Sequence, residues 1–447
     1  MDQQKVEQLA VNTIRLLSAE GVQKAKSGHP GLPMGMADAA FVLWNKFIRF
    51  NPAAPEWINR DRFILSAGHG SMLIYTMLHL VGYDISLDDL ANFRQLDSKT
   101  PGHPEYTPSR GVETTTGPLG QGFTNGIGMA IARRFMASQF NTDDYAIYDH
   151  NVYCICSDGD LMEGISAEAA SLAGHLGLGG ITYLYDSNHI SIEGDTDLAF
   201  DTENVRMRFE AYGWHTLEVD GHNRQALEEA IRQANAVTDK PSLIQCNTRI
   251  GMGSPNLVGT AKIHGAPMGE EELAATKKAM GWEYDSWFVV PPEVAELFAE
   301  RRKEMAAEHD VWEKNFETWR TKYPEKATLW DKFMNPEIPA DLTDRLLATC
   351  GNKPIATRSS AGNAEQVIAD VFPNFLGGSA DLAPSTMTLI TGEDGQSREC
   401  SSGRNFHFGV REHAMGGILN GMALYGGLKV FGSTFFVFSD YVRPRSG

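Results

Sequence analysis

Two polar-ended apolar stretches decide the fold: VYCICSDGDLMEG at residues 152–164 and ITYLYDSNHI at residues 181–190. Each stretch opens as an apolar strand, and a helical run joins them. This order indicates a βαβ unit with parallel strands, whose carboxyl ends meet at one edge of the sheet. Asp158 and Asn188 then lie at that edge, where open parallel sheets bind their ligands.

These two polar residues are suited to a cation that is bound together with an anion. Carboxylate and amide oxygens are ligands for a hard divalent ion that keeps phosphate oxygens as its other ligands. Gly159 lets the backbone approach an anion closely. An ordinary βαβ unit with polar loop residues accounts for the same pattern, so this stretch alone leaves both interpretations open.

Composition sets the broad class of the protein. A chain of 447 residues is long enough for two to three domains, and its net charge of −18 disfavours nucleic acid and anionic membranes as partners. No uninterrupted apolar run reaches membrane-spanning length. The five cysteines are scattered and mostly lie in apolar runs, which is typical of reduced core thiols in a cytoplasmic protein.

The order of strand and helix patterns predicts two α/β domains. Residues 1–320 alternate strand and helix and should form one doubly wound parallel sheet. Residues 321–354 are expected to form a charged helical connector. A second α/β domain of the same type should occupy residues 355–447, and its pattern stops before that fold is complete.

Three histidines stand in loops rich in Gly and Pro: His29 in SGHPG, His69 in AGHGS and His103 in TPGHPE. A strand precedes His69 and a helix follows it, which favours an anion site at the helix N-terminus. One loop histidine alone is usually structural or solvent-facing. The chain has no complete dinucleotide or Gly-Lys-Ser/Thr phosphate motif, so nicotinamide and ATP chemistry lack support.

Taken together, the motifs resemble those of the transketolase family, from KAKSGHPG at residues 24–31 to FSDY at residues 438–441. The most specific are SKTPGHPE at 98–105, ETTTGPLGQG at 113–122 and GGSADLAPS at 377–385. Asp158 and Asn188 follow the spacing of the thiamine-diphosphate motif, in which Gly-Asp-Gly precedes an Asn. Ser157 stands where that motif has its first Gly.

The resemblance implies an activity. It is the reversible transfer of a two-carbon ketol unit from a ketose phosphate to an aldose phosphate, through a thiamine-diphosphate carbanion, in the pentose phosphate pathway. The cofactors would be thiamine diphosphate and Mg²⁺, or Ca²⁺ or another divalent cation. The implied protein is a cytoplasmic homodimer with active sites between subunits; sugar phosphates are its substrates, and neither nucleic acid nor membrane is a partner.

The resemblance also implies roles for individual residues. The metal ligands would be Asp158, Asn188 and the carbonyl of Ile190. The cofactor would contact His69, Gly117, Leu119, Gly159, Glu163, Asn188, His264, Asp381, Glu412, Phe435, Phe438 and Tyr441. The substrate would contact His29, His103, His264, Arg358, Asp381 and Ser385. Glu412, His29, His103 and His264 would act in catalysis.

Residue chemistry agrees with the roles in the second domain. Phe435, Phe438 and Tyr441 stand at i, i+3 and i+6, which predicts one side of a helix able to clamp a flat ring. Without the resemblance, such an aromatic stripe is more often plain core. A carboxylate at Glu412 would hydrogen-bond a ring nitrogen of the cofactor and favour the tautomer that removes the thiazolium proton.

Two departures leave alternatives open. Ser157 replaces a Gly, which most backbones tolerate. The family pattern continues beyond residue 447, so the sequence predicts a truncated chain with impaired activity. A dihydroxyacetone synthase-like transferase and an inactive cofactor-binding fragment are the remaining alternatives. The loop with His103 and the segment at 378–381 argue against deoxyxylulose-phosphate synthase, phosphoketolase and the thiamine subunit of a dehydrogenase complex.

Overall fold

The structure is a computed structural model that describes residues 2–351 and 353–445. The chain folds into two compact units, each with its own parallel sheet. The first contains the described residues within Met1–Phe123, His150–Gly164 and Gly179–Asp310. The second contains those within Thr124–Asp149, Ile165–Leu178 and Val311–Gly447.

The first unit is built on a five-stranded parallel sheet in the order β1-β2-β3-β5-β4. Its strands are β1 (Arg62–Leu65), β2 (Val152–Ser157), β3 (Ile181–Ser187), β4 (His215–Asp220) and β5 (Ser242–Asn247). Every residue of β1, β2 and β3 is buried. Full burial explains why these strands read as continuous apolar runs rather than as alternating patterns.

Helices surround this sheet and supply most of its core. They are Gln3–Ala25, Gly31–Gly35, Ala37–Lys46, Met72–Val81, Leu87–Ala91, Asp158–Met162, Asp197–Phe200, Val205–Ala211, Arg224–Ala236 and Glu270–Ala279, with 3₁₀ turns at Gly68–Gly70, Pro108–Arg110 and Ala261–Ile263. The helices Gln121–Phe140, Gly164–Leu176 and Pro292–Lys322 contain residues of both units. Phe41 and Leu78 pack in one cluster with Ile155 of β2 and Leu184 of β3.

Local chemistry fixes the ends of the first long helix. The Asp2 side chain accepts a hydrogen bond from the Lys5 N–H at 2.9 Å, which caps its start. The helix stops at Lys26, whose φ of 52° is left-handed. The SGHPG loop follows directly, so His29 lies on an irregular segment, as predicted.

The second unit contains a three-stranded parallel sheet in the order β7-β6-β8. The strands are β6 (Phe375–Ser379), β7 (Asn405–His407) and β8 (Lys429–Ser433). Its helices are Pro324–Met334, Leu342–Ala348, Thr357–Val371, Ala383–Thr386, Glu412–Tyr425 and Ser439–Val442, with 3₁₀ turns at Phe436–Phe438 and Arg443–Arg445. The predicted parallel α/β class is confirmed in both units.

Two expectations about particular residues fail. Phe435, Phe438 and Tyr441 do not share one helix, because the chain is still extended at Phe435 just after β8 (φ −69°, ψ 146°). Cys350 is exposed and Cys400 is half-buried, so these two are not core thiols. Both lie outside the strands.

The remaining cysteines, Cys154, Cys156 and Cys246, are buried in strands of the first unit, as predicted. Among the described helices, none combines the length and the apolar character that crossing a bilayer demands.

Candidate active site

A cavity of about 470 Å³ opens at the carboxyl edge of the first unit's sheet. We call it the edge cavity. Ten of the residues predicted from the sequence line it: His29, His69, His103, Gly117, Leu119, Asp158, Gly159, Asn188, Ile190 and His264. They come from loops that are far apart in the chain, and the parallel sheet brings these loops together because its strands all end at this edge.

A cluster of three imidazole rings forms one wall of the edge cavity. The ring centroid of His29 lies 5.1 Å from that of His69 and 5.7 Å from that of His264. His69 and His264 stack with centroids 5.3 Å apart and an interplanar angle of 22°. Each ring belongs to a different loop, so the cluster exists only in the folded chain.

The surroundings of these histidines and of His103 favour the neutral form of each imidazole. Burial, reinforced by the nearby histidines, lowers the pKa of His29 to about 4 and that of His69 to about 3. Burial also lowers the pKa of His264, and burial together with the Arg94 cation lowers that of His103. A neutral imidazole offers one N–H donor and one acceptor nitrogen, so the cluster is equipped to hydrogen-bond a polar ligand.

Two atoms of the cluster show unused hydrogen-bonding capacity. Nδ1 of His29 and Nδ1 of His264 are buried and have no hydrogen-bond partner among the described residues. Buried polar atoms are normally paired, because leaving one unpaired costs about 1–3 kcal/mol. A bound polar group would relieve this deficit.

Glycine allows loops to approach the histidines closely. A Cβ on Gly265 would lie 3.1 Å from the His29 ring, and one on Gly117 would lie 3.3 Å from the His103 ring. Gly117 also has a φ of 149°, which side chains rarely adopt. The loop at Gly117 therefore approaches His103 more closely than a residue with a side chain would allow.

Asp158 and Asn188 face the edge cavity from the ends of β2 and β3. The Asp158 carboxylate accepts hydrogen bonds from the Tyr185 hydroxyl and, at 3.2 Å, from the His189 N–H. Asp158 is only 4% exposed, and burial raises its pKa. A cation beside this carboxylate would favour its ionised form.

The Asn188 amide is held on both sides. Its Nδ2 donates to Asp186 at 2.8 Å, and its oxygen accepts from the Ile190 N–H at 2.9 Å. Asp186 is fully buried, and burial, aided by the Asp158 charge, raises its pKa to about 7. Asp158, Asn188 and Ile190 all line the edge cavity, and carboxylate, amide and carbonyl oxygens are the ligand types that a hard divalent cation prefers.

Glu163 does not line the edge cavity and is exposed in this chain. The other predicted site residues belong to the second unit: Arg358, Asp381, Ser385, Glu412, Phe435, Phe438 and Tyr441. The roles predicted for these residues, and for those in the edge cavity, are contacts with a cofactor, metal or substrate. These roles stay predictions.

Glu412 is the best-enclosed of the predicted residues in the second unit. It is the first residue of the helix Glu412–Tyr425 and is 9% exposed. Its Oε1 accepts a hydrogen bond from the Thr434 hydroxyl at 3.3 Å. Glu168 accepts from the Ala414 N–H at 3.0 Å, and burial raises the pKa of Glu168.

The aromatic residues of the second unit form a chain of rings. The centroids of Phe435 and Phe438 are 6.2 Å apart, and those of Phe438 and Tyr441 are 6.3 Å apart. Phe435 is 38% exposed and Tyr441 is 63% exposed, so these rings are not plain core within this chain.

Comparison with known protein families identifies the family of this chain. Residues 6–339 match the family model described as transketolase, thiamine diphosphate binding domain, and residues 353–446 match transketolase, pyrimidine binding domain. The chain belongs to the transketolase family.

Individual members of the transketolase family are closely similar. The transketolase of Halalkalibacterium halodurans is 54% identical over 440 residues, and that of Geobacillus stearothermophilus is 52% identical over 441. A transketolase of Pichia stipitis, crystallised in complex with sedoheptulose 7-phosphate, is 42% identical with a TM-score of 0.94. Each match covers 98% of this chain and 66% of the relative, so the chain spans about two thirds of these relatives' length.

Sequence reasoning missed two acidic residues behind the transketolase-type cavity. Asp186 orients Asn188, and Asp160 accepts hydrogen bonds from several loops. Asp160 had a local signal, since Ser157 and Asp160 have the spacing of a capping box at a helix start. The only sequence signal for Asp186 was its position at the end of an apolar strand. That position does not reveal that its carboxylate bonds Asn188.

Proposed function

We propose that this chain carries the cofactor site and part of the substrate site of a transketolase. The reaction is the reversible transfer of a two-carbon ketol unit from a ketose phosphate to an aldose phosphate, as in the pentose phosphate pathway. The observation that carries the proposal is the edge cavity, where ten residues singled out by motif share one space. The family relationship and the sugar phosphate held by the Pichia stipitis relative support it.

The proposed metal site consists of Asp158, Asn188 and the carbonyl of Ile190. These donors fit Mg²⁺, and also Ca²⁺, because both ions prefer oxygen ligands and leave positions for phosphate oxygens. The burial of the Asp158 carboxylate supports this fit. Its described hydrogen bonds come from the Tyr185 hydroxyl and the His189 backbone N–H, and neither group is a cation.

The proposed cofactor is thiamine diphosphate, with its diphosphate near His69, His264 and Gly159. Thiamine diphosphate supplies, when bound, the nucleophilic carbon and electron sink that carbon–carbon cleavage requires. The unpaired Nδ1 of His264 supports the fit, because an anionic oxygen could take up a hydrogen bond there. Gly117 and Leu119 would pack against the cofactor from the opposite loop.

The chain's own residues would orient the sugar and move protons. His29, His103 and His264 would donate hydrogen bonds to substrate oxygens that gain negative charge, which is stabilisation by preplaced donors. Arg358 and Ser385 would hold the phosphate, the former with its planar fork of N–H groups.

The second unit would supply further contacts to the cofactor and the sugar. Glu412 would hydrogen-bond a ring nitrogen of the cofactor, Asp381 would contact a sugar hydroxyl, and the rings of Phe435, Phe438 and Tyr441 would enclose the flat pyrimidine. Their exposed aromatic surface supports this role, since a ring can bind them without displacing core.

A homodimer is the proposed assembly, with the second domain of one chain completing the edge cavity of the other. Exposed apolar side chains support it: Phe436 is 93% exposed, Val437 72%, Ile192 73% and Leu198 72%. An obligate interface of this kind buries more than about 2,000 Å². The division into domains at 1–320, 321–354 and 355–447, and location in the cytoplasm, are part of the same proposal.

Calorimetry on the Asp158→Ala variant tests the cofactor site. We expect the Mg²⁺-dependent binding of thiamine diphosphate to be lost while the circular dichroism spectrum is retained. Asp239→Ala, an exposed carboxylate of the same unit, is the matched control and should bind normally. Unchanged affinity in Asp158→Ala would overturn the metal assignment.

Turnover tests the assignment of substrate contacts. His103→Ala should lower the rate of ketol transfer and leave the affinity for thiamine diphosphate within about twofold. Equal losses of turnover and cofactor affinity would show that His103 serves the cofactor instead. Cofactor binding without any turnover in the unsubstituted chain would favour a cofactor-binding fragment, and turnover with formaldehyde as the preferred acceptor would favour a dihydroxyacetone synthase.

A further inference from the structure

Asp160 is a buried carboxylate that the proposed chemistry does not use. It is 0% exposed and does not line the edge cavity. Its Oδ1 accepts hydrogen bonds from the Ser66 hydroxyl at 2.6 Å and the Gly120 N–H at 2.8 Å. Its Oδ2 accepts from the Ser157 N–H at 2.9 Å and the Ser157 hydroxyl at 3.1 Å. Both oxygens of one carboxylate are therefore occupied by neutral donors.

Each donor belongs to a different segment that forms the edge cavity. Ser66 directly follows β1 and precedes the 3₁₀ turn that bears His69. Gly120 ends the loop that bears Gly117 and Leu119, and Ser157 is the last residue before Asp158. These three segments meet at the Asp160 carboxylate.

Ser66 extends the network by one step. Its hydroxyl oxygen accepts a hydrogen bond from the Phe123 N–H at 2.8 Å, close to the start of the helix Gln121–Phe140. The hydroxyl thus donates to Asp160 and accepts from the helix start. Asp160 sets the direction of this donation, because its carboxylate has no hydrogen of its own to give when it is ionised.

The segments that bear His69 and Gly117 are closely packed, with no room for a side chain at Gly68 or Gly122. A Cβ on Gly68 would lie 2.6 Å from Oγ1 of Thr116 and 2.7 Å from the N of Gly117. A Cβ on Gly122 would lie 2.8 Å from the Cα of Ser66. Backbone and the Thr116 side chain fill the space between these segments. The hydrogen bonds to Asp160 add directional contacts to this close packing.

We propose that Asp160 is a positioning residue for the cofactor cavity. Its carboxylate holds the segments bearing His69, Gly117 and Asp158 in the arrangement that binds the cofactor's diphosphate and metal. This inference rests on the proposed function. It also accounts for Ser157, which stands where the thiamine-diphosphate motif has Gly, because a Gly would lack the hydroxyl that bonds Asp160.

The Asp160→Asn variant tests the proposal with little change of shape. The Asn amide keeps one acceptor oxygen, but its NH₂ group replaces the other. On that side the NH₂ would face N–H and O–H donors that now lack an acceptor. We expect the dissociation constant for thiamine diphosphate at saturating Mg²⁺, measured by calorimetry, to rise at least tenfold. An increase of less than twofold would overturn the proposal.

A matched control separates positioning from general destabilisation. Asp38 is also a buried carboxylate of the first unit, 3% exposed and paired with Arg15 and Arg224, and it does not line the edge cavity. Asp38→Asn should lower the midpoint of urea unfolding and leave the dissociation constant within twofold. If it weakens cofactor binding as much as Asp160→Asn does, the effect is one of stability and the proposal fails.

Smaller substitutions keep the test decisive if Asp160→Asn does not fold. Ser66→Ala removes one hydroxyl and should raise the dissociation constant about three- to tenfold, the range for one lost hydrogen bond. Ser157→Ala should do the same. In the Ser66→Ala/Ser157→Ala double variant the two effects should not simply multiply, because both hydroxyls bond one carboxylate. Full additivity of the two, or no effect of Ser66→Ala, would refute the network.

Cofactor binding by the unsubstituted chain distinguishes a failure of the proposed function from a failure of the positioning role. If it does not bind thiamine diphosphate with Mg²⁺, the proposed function fails. If it binds the cofactor and the Asp160 and Ser66 variants bind equally well, only the positioning role fails.

Discussion

Replacing His69 should make the folded chain less sensitive to acid. Its imidazole lies in the cluster with His29 and His264, with centroid distances of 5.1 and 5.3 Å. Burial, and then the charge of neighbouring histidines, lowers the pKa of His69 from 6.5 to about 3. In the His69→Asn variant no proton binds at this position in either the folded or the unfolded state.

The size of the effect follows from proton linkage. Below pH 6.5 the unfolded chain binds a proton on His69, whereas the folded chain does so only near pH 3. Acid therefore favours the unfolded state throughout this window, and stability is lost as the pH falls below 6.5. From pH 6.5 to pH 5 the loss amounts to about 2 kcal/mol, at about 1.36 kcal/mol for each pH unit.

Urea unfolding at pH 7 and pH 5 measures this difference. From pH 7 to pH 5 the free energy of unfolding should fall by about 2 kcal/mol more in the unsubstituted chain than in the His69→Asn variant. Burial raises the pKa of Asp186 and that of Glu365 to about 7, and these groups work in the opposite direction. Both proteins contain them, so their contribution cancels. Equal losses, or a His69 ring that titrates near pH 6.5 by NMR, would refute this account.

Three substitutions should lower the free energy of unfolding for distinct reasons. Gly68→Ala places a methyl group 2.6 Å from the Thr116 hydroxyl oxygen, and we expect a loss of about 1–3 kcal/mol by urea unfolding. Glu113→Gln breaks a buried pair in which Arg60 donates to both carboxylate oxygens at 2.7 and 2.8 Å, and should cost about 3–5 kcal/mol. Trp319→Ala removes a completely buried ring from the second unit and should cost about 3–5 kcal/mol in the unfolding of that unit.

Each of these predictions has a control on a similar residue. A Cβ on Gly164 meets nothing within 4 Å, so Gly164→Ala should not destabilise the chain. Glu304 pairs with Arg301 at the surface, and Glu304→Gln should change stability by less than about 1 kcal/mol. Val311 is 57% exposed, so Val311→Ala should have little effect. A control that unfolds as easily as its partner variant would show that the named contact is not the cause.

Much of the fold was predictable because its signals are local. The strands β2 and β3 read as apolar runs that end in polar residues, and full burial of their side chains explains this. Asp158 and Asn188 could be placed at the sheet edge because parallel strands all end there. The grouping of His264 with them came from the resemblance, since its loop carries no strand-edge pattern of its own.

What the sequence did not predict depends on contacts between distant segments. Ser66, Gly120 and Asp160 share one carboxylate, and no spacing in the chain reveals that meeting. The helical spacing of Phe435 and Tyr441 was misleading, because the backbone is extended at Phe435 and helical turns begin only at Phe436. Helical periodicity in a sequence does not show at which residue the helix begins.

The strand order of the first unit has a consequence for biosynthesis. Arg62 of β1 lies opposite Val152 of β2, and β3 lies beside β5 rather than β4, so pairing requires segments that emerge from the ribosome at widely separated times. Loop closure over such distances is slow, and an apolar strand without its neighbour is prone to aggregation. At about 5–20 residues per second, β1 waits several seconds for β2. A chaperone that acts on the nascent chain would therefore have its greatest effect in this interval, before any part of the cavity can close.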